Sequence, residues 1–279
     1  MTHPHHPHSH PQEHHHHGHD PSHFEQAARA RWEQLTGASE RWGWIGTLAV
    51  KLCAAQAAHA PQTRPRGALI FAADHGFTFP AGGGEASPNT RQRLIRLVHE
   101  GSAAGVLSRL LDVNLRVIEV GIFGPETTIP GVLHCPVRPG TRDFTREPAL
   151  TIAEVKQAMK TGSDAAGDAL RDGVRLLILT GIGQGGATSA AALAAWLDTH
   201  PDATGDPPGQ GRGPEESEIL RAALERHRDS IRNPVSLLAG LGGLETAALA
   251  GAVLQAAAHN LPVLAGGPVA AAAAAVAAR

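Results

Sequence analysis

The stretch richest in chemical potential begins with an apolar run, Leu176-Leu177-Ile178-Leu179. It breaks into Thr180-Gly181-Ile182-Gly183-Gln184-Gly185-Gly186 and then into Ala187-Thr188-Ser189-Ala190-Ala191. The order reads as strand, glycine turn, helix. Glycines take positive φ and let a ligand approach the backbone closely, and the first N–H groups of the following helix have no partner within it. Such a turn suits an anion, most often a phosphate. A tight turn that only docks helix on sheet is the alternative these residues leave open. Gly181, Gly183 and Gly186 also satisfy G-x-G-x-x-G, but no second strand ending in an acid follows at the distance a dinucleotide site needs.

A second apolar run ends in Asp74-His75-Gly76, ahead of a glycine loop, Ala81-Gly82-Gly83-Gly84. An acid and an imidazole at the mouth of a parallel sheet stand where sites form; a structural cap for the next segment is the competing reading. Pro139-Gly140-Thr141-Arg142-Asp143-Phe144 precedes Glu147-Pro148-Ala149-Leu150-Thr151 and a helical pattern, in which Thr151 and Glu154 have the spacing of a capping box. Residues 1–23 hold eleven of the chain's eighteen histidines. They lack the apolar residues to order themselves. Neutral imidazoles at His14, His15, His16, His17 and His19 suit a divalent metal, and a solvated low-complexity tail or an expression tag are the plainer alternatives.

The elements that must position these residues are legible as changes of period. Residues 67–73, 115–120, 174–179 and 261–264 are short apolar runs closed by glycine or polar turns; between them 90–111, 152–171, 187–197, 214–228 and 235–259 carry helical spacing. The alternation predicts an α/β fold, a mainly parallel, Rossmann-like sheet with helices on both faces, and places ligands at the carboxyl ends of its strands. Three divisions are expected: a disordered His-rich tail over 1–23, an N-terminal helical segment over 24–60, and an α/β nucleotide-binding domain over 61–279. A net charge of −2 without a basic stripe excludes a nucleic-acid surface. The alanine-rich region from Thr246 is interrupted by His259, Asn260, Pro262 and Gly266-Gly267-Pro268, which excludes a membrane span. Two isolated cysteines, Cys53 and Cys135, and no signal peptide fit a reducing cytoplasm.

Taken in order from about Gly37 onward, these segments resemble the nicotinate-nucleotide:dimethylbenzimidazole phosphoribosyltransferase family of cobalamin biosynthesis. Phe71-Ala72-Ala73-Asp74-His75-Gly76 is similar to F-A-G-D-H-G, and the Pro139 and Glu147 segments to P-G-T-x-N-F and E-P-A-M. Gly185 to Ala191 is similar to G-N-T-T-S-A-A, Gly211-Arg212-Gly213 to G-R-G-T-G, and Leu241-Gly242-Gly243-Leu244-Glu245-Thr246-Ala247 to a late G-G-x-E-I-A helix. The resemblance implies transfer of phosphoribose from nicotinate mononucleotide to a benzimidazole nitrogen, with no cofactor required. It places Asp74, His75, Ser87 and Gln92 near the base and Gly183, Gly185, Gly186, Thr188 and Ser189 around the phosphate. Thr141, Arg142, Gly211, Arg212, Gly242 and Gly243 complete the expected substrate contacts.

The same resemblance marks departures. The family's basic glutamate would lie beyond Arg279, a second family glutamate falls on Gly181, an asparagine on Gly186 and an aspartate on Ala265, while a lysine has only Arg221 nearby. Glu147, Glu245 and Asp74 are the replacement bases to consider. Losing a base typically costs about 10²- to 10⁴-fold in rate. Two other functions therefore stand beside the transferase: a non-catalytic binder of nucleotides or ribosides, and a metal-handling protein acting through its tail. The N-terminal helix around 42–58 has an apolar face, which with the dimers typical of the family predicts a homo-oligomer.

Overall fold

Runs of β-branched and leucine residues ending in glycine become strands here because both of their faces are covered. In a computed structural model of the chain, residues 21–36, 43–78, 90–99, 101–124, 128–199 and 214–279 are described. Residues 1–20 of the His-rich tail, the 81–84 loop, Ser87, Gly211 and Arg212 lie outside them. The chain divides into two compact units, Met1–Pro61 and Gln62–Arg279.

In the first unit, α1 (Pro21–Thr36) packs on α2 (Gly43–Ala55). The first helix begins at Pro21, three residues before the boundary read from sequence, because proline with its preset φ opens a helix well. The helices meet where Gly46 lies against the Trp32 indole, leaving a cavity of about 440 Å³ bordered by Trp32, Leu35, Val50 and Cys53.

The second unit is built on five parallel strands: β1 (Arg66–Ala73), β2 (Val113–Gly121), β3 (Val132–His134), β4 (Leu176–Ile182) and β5 (Val263–Gly266). Their order is β3-β2-β1-β4-β5. Leu69, Phe71, Ile118, Leu177 and Leu179 face a large core shared with α5 (Ile152–Arg171), α6 (Gly186–Thr199), α8 (Pro234–Leu241), α9 (Leu244–Ala258) and α10 (Gly267–Ala277). Ile70, Ala72 and Val117 face a smaller core with Leu94 and Leu97 of α3 (Thr90–His99). The parallel sheet with helices on both faces is as expected. No described helix is long and apolar enough to cross a membrane.

Three details differ from the sequence reading. The helical pattern over 90–111 divides into α3 and α4 (Ala103–Leu110), because Gly101 adopts φ +71° and Ser102 caps the new helix by accepting the Gly105 N–H. The pattern over 235–259 divides into α8 and α9 at Gly242-Gly243, where the chain turns extended. The three-residue β3 is too short to show a period. The Thr151–Glu154 capping box at the start of α5 is formed in both directions, and Pro214 begins α7 (Pro214–His227).

Candidate active site

The strand order reverses between β1 and β4, the place in an open parallel sheet where ligands bind at the carboxyl ends of the strands. Asp74 and His75 follow β1, and the glycine turn follows β4. The two loops are stitched together: His75 N–H donates to the Gln184 carbonyl at 3.1 Å, and Asp74 Oδ1 accepts the Gln184 N–H at 3.1 Å. Asp74 also accepts from the Thr90 hydroxyl through Oδ1 and from the Phe123 N–H through Oδ2 at 2.9 Å, while its backbone bonds Gly121 and Thr141. With three donors spread over both oxygens of its buried carboxylate, Asp74 braces the site.

His75 and Glu245 arrive from β1 and from the first turn of α9. Nε2 of the imidazole lies 2.8 Å from Oε1 of the carboxylate, and the two side chains are 0% and 1% exposed. The other polar atom of each, His75 Nδ1 and Glu245 Oε2, is buried with no hydrogen-bond partner. Glycines wall the pair. A Cβ on Gly243 would stand 2.4 Å from Glu245 Oε2, one on Gly186 would stand 3.4 Å from Oε1, and one on Gly181 would meet Val269 and the Glu245 side chain. The missing side chains let a neighbouring group approach the carboxylate at backbone distance.

The glycine turn itself is obligatory. A Cβ at Gly183 would fall 1.6 Å from the Ala73 carbonyl, and Gly185 has φ +82° against Phe77, Thr78 and His75. The N–H groups of Gly186 and Ala187 open α6, ahead of its internal ladder. Ser189 is turned elsewhere: its N–H donates to Gly185 O, and its buried hydroxyl donates to Leu241 O at 2.7 Å. Thr188 lies in the same first turn.

The remaining expected positions are scattered. Thr141 is buried below Gly76, accepting its N–H. Arg142 makes two hydrogen bonds to Glu154, at 2.8 and 3.1 Å. Burial works to raise the Glu154 carboxyl, but the hydrogen bonds from Arg142 and Thr151 outweigh it and hold the pKa at about 2. Glu147 is 60% exposed with Arg142 at 4.0 Å. Gln92 is exposed on α3. Gly242 and Gly243 lead into α9 behind Glu245. Sequence reading names His75 and Glu245 separately and has no signal for their pairing across 170 positions. Phe77, stacked on Phe144 with ring centroids 4.3 Å apart, is a further wall that it misses. Among the described residues no group of three or more His, Cys, Asp or Glu could hold a metal ion.

This architecture has known relatives. A family model described as phosphoribosyltransferase matches residues 19–279. The nicotinate-nucleotide–dimethylbenzimidazole phosphoribosyltransferase of Pseudomonas putida (strain W619) is 35% identical over 256 residues, covering 90% of this chain and 73% of that protein. Its counterpart in Ectopseudomonas mendocina (strain ymp) is 37% identical over 258 residues, with 90% and 73% coverage. The crystal structure of CobT from Thermus thermophilus superposes with a TM-score of 0.76 at 32% identity, covering 91% of this chain and 78% of that one. A second structure, of the phosphoribosyltransferase of that name from the same organism, gives 0.78 at 32% identity, covering 91% and 77%. Sequence and fold agree, and the chain belongs to the nicotinate-nucleotide–dimethylbenzimidazole phosphoribosyltransferase family.

Proposed function

We propose that this chain transfers the phosphoribosyl group of nicotinate mononucleotide to dimethylbenzimidazole or a related base in cobalamin lower-ligand synthesis. The bond between the sugar C1′ and the pyridine nitrogen breaks, its electron pair staying with the nicotinate ring. A benzimidazole nitrogen takes its place on C1′ and gives up its proton. Family membership favours this reaction over a binding-only or metal-handling role.

The single observation that carries the assignment of groups is the buried His75–Glu245 pair with an unpartnered oxygen at the switch point. Of the three replacement bases, Asp74 is fully engaged and Glu147 lies exposed, which leaves Glu245 to accept the proton, held in place by His75. Gly181 supports this reading, because a Cβ there would meet Val269 and the Glu245 side chain, so the glycine leaves Glu245 its place. The phosphate is assigned to the N–H groups around Gly183, Gly185, Gly186 and Thr188, with Arg212 as its countercharge. Incubating purified protein with nicotinate mononucleotide and dimethylbenzimidazole should release nicotinate; turnover no faster than the protein-free control would refute the reading.

The chain is further assigned to the cytoplasm, supported by its two free cysteines. A homo-oligomer is supported by the exposed Leu35, Trp44 and Leu110, and a monomer in sedimentation at micromolar concentration would contradict it. A tail that binds divalent metal is supported by its histidine content, and unchanged metal stoichiometry after deletion of residues 1–23 would remove it.

A further inference from the structure

Among the donors that reach Asp74, one comes from a helix that carries none of the groups assigned above: Thr90, the first residue of α3. Thr90, Leu94 and Leu97 share one face of that helix and are its buried residues. The leucines seat α3 on the sheet by apolar contact, which has no preferred direction. The Thr90 hydroxyl supplies one. It is 0% exposed and gives its single proton to Asp74 Oδ1, the oxygen that also accepts the Gln184 N–H of the glycine turn. Helix and turn are joined through one atom.

The other side of the carboxylate is anchored at the end of β2. Asp74 Oδ2 holds the Phe123 N–H at 2.9 Å, and the preceding Ile122 N–H is held at 2.8 Å by Glu119, a 4% exposed residue whose other oxygen lies 2.7 Å from His134 Nδ1. The Asp74 carboxylate thus takes its direction from β2 and α3 and passes it to residue 184. His75 completes the clamp, because its N–H donates to the Gln184 carbonyl at 3.1 Å. The peptide between Gln184 and Gly185 is trans and planar, so its N–H points opposite to its carbonyl. Holding that carbonyl on His75 turns the Gly185 N–H away from the β1 loop.

We propose that Thr90 and Asp74 are positioning residues for phosphate binding: resting on the transferase reading, their hydrogen bond fixes the glycine turn so that the Gly185 N–H stands in its bonding direction before the mononucleotide arrives. Both side chains are buried and act through the Gln184 peptide groups, without touching the substrate. A donor held in advance costs no ordering when the ligand binds, and the gain falls on the phosphate alone.

Titration calorimetry of the full chain with nicotinate mononucleotide and with nicotinate riboside, which lacks the phosphate, isolates that gain. Wild type should prefer the mononucleotide by about a hundredfold. Thr90→Val keeps the shape and loses the hydroxyl; it should cut the preference about fivefold and leave riboside affinity within about twofold. Asp74→Asn sets an amide donor among N–H and O–H donors and should cut the preference about tenfold or more. Thr90→Ser restores the hydroxyl and should hold the preference within about twofold of wild type, with thermal melts showing the variants folded. Should Thr90→Val not fold, the serine variant decides: a preference lost there overturns the proposal. Equal wild-type affinity for the two ligands, a Thr90→Val protein with the wild-type preference, or one that weakens both ligands alike would also overturn it. If the preference responds as described and no transfer occurs, the transferase reading fails and the brace stands; if transfer occurs and Thr90→Val is silent, the brace alone fails.

Discussion

A carboxylate with 1% exposure and an oxygen that no donor reaches is arranged for a proton more than for a structural bond, and Glu245 is such a group. Glu245→Gln keeps the shape and the contact to His75 but removes the basic oxygen. It should lower kcat by about 10²- to 10⁴-fold while KM for the mononucleotide moves little, in steady-state assays of nicotinate release. A rise in KM with kcat intact would make Glu245 a binding group instead. Glu154 presents the opposite case, a carboxylate whose donors hold it at a pKa of about 2. Its contribution to stability is present above the unfolded-state pKa and fades as pH falls through the folded one. Glu154→Gln should therefore destabilise the protein by about 1–2 kcal/mol near neutrality, and the gap should close between about pH 4.5 and 2 in urea titrations. At this scale the sequence singled out Asp74, His75, Gly183, Gly185, Gly186 and Glu245. It could not separate the braced Asp74 from the unbraced Glu245, because that difference lies in donors from residues 90, 123 and 184.

Between elements, the helices α5 and α9 approach at glycines chosen for different reasons. A Cβ at Gly162 would fall 1.7 Å from the Ala248 carbonyl, whereas one at Gly167, a turn and a half further on, would meet only side-chain tips at 3.6 Å and beyond. The two substitutions should have opposite signs. Gly162→Ala should cost about 1–3 kcal/mol through overpacking. Gly167→Ala should gain about 0.5–1 kcal/mol through helix propensity, and chemical denaturation of the pair reads the contrast directly. Strands β1, β2 and β4 and helix α5 were legible because each repeats its period over several residues between clear stops. The breaks before α4 and α9 were not, since Gly101 and Gly242-Gly243 lie inside unbroken apolar spacing and act only through local backbone angles. Nor was Glu119 marked by period, although a charged residue within Val117-Ile118-Glu119-Val120 is itself a sign that something compensates it.

For the molecule as a whole, the division after Pro61 predicts that residues 62–279 carry their own core. A chain starting at Gln62 should unfold in one cooperative transition, with a midpoint within about 4 °C of the main transition of the full chain, the shift expected for a loss of about 1 kcal/mol. A broad, non-cooperative melt would show that the N-terminal helices are needed for the sheet to form. The outer strands of that sheet carry a last consequence. One rim is the three residues Val132–His134 and the other the four residues Val263–Gly266, followed at once by α10. An incoming backbone would find only a rung or two to grip at either rim, too few to seed a ladder. Among the described residues the folded sheet thus offers amyloid growth no template, and crowding the protein in solution should not convert that sheet into fibres.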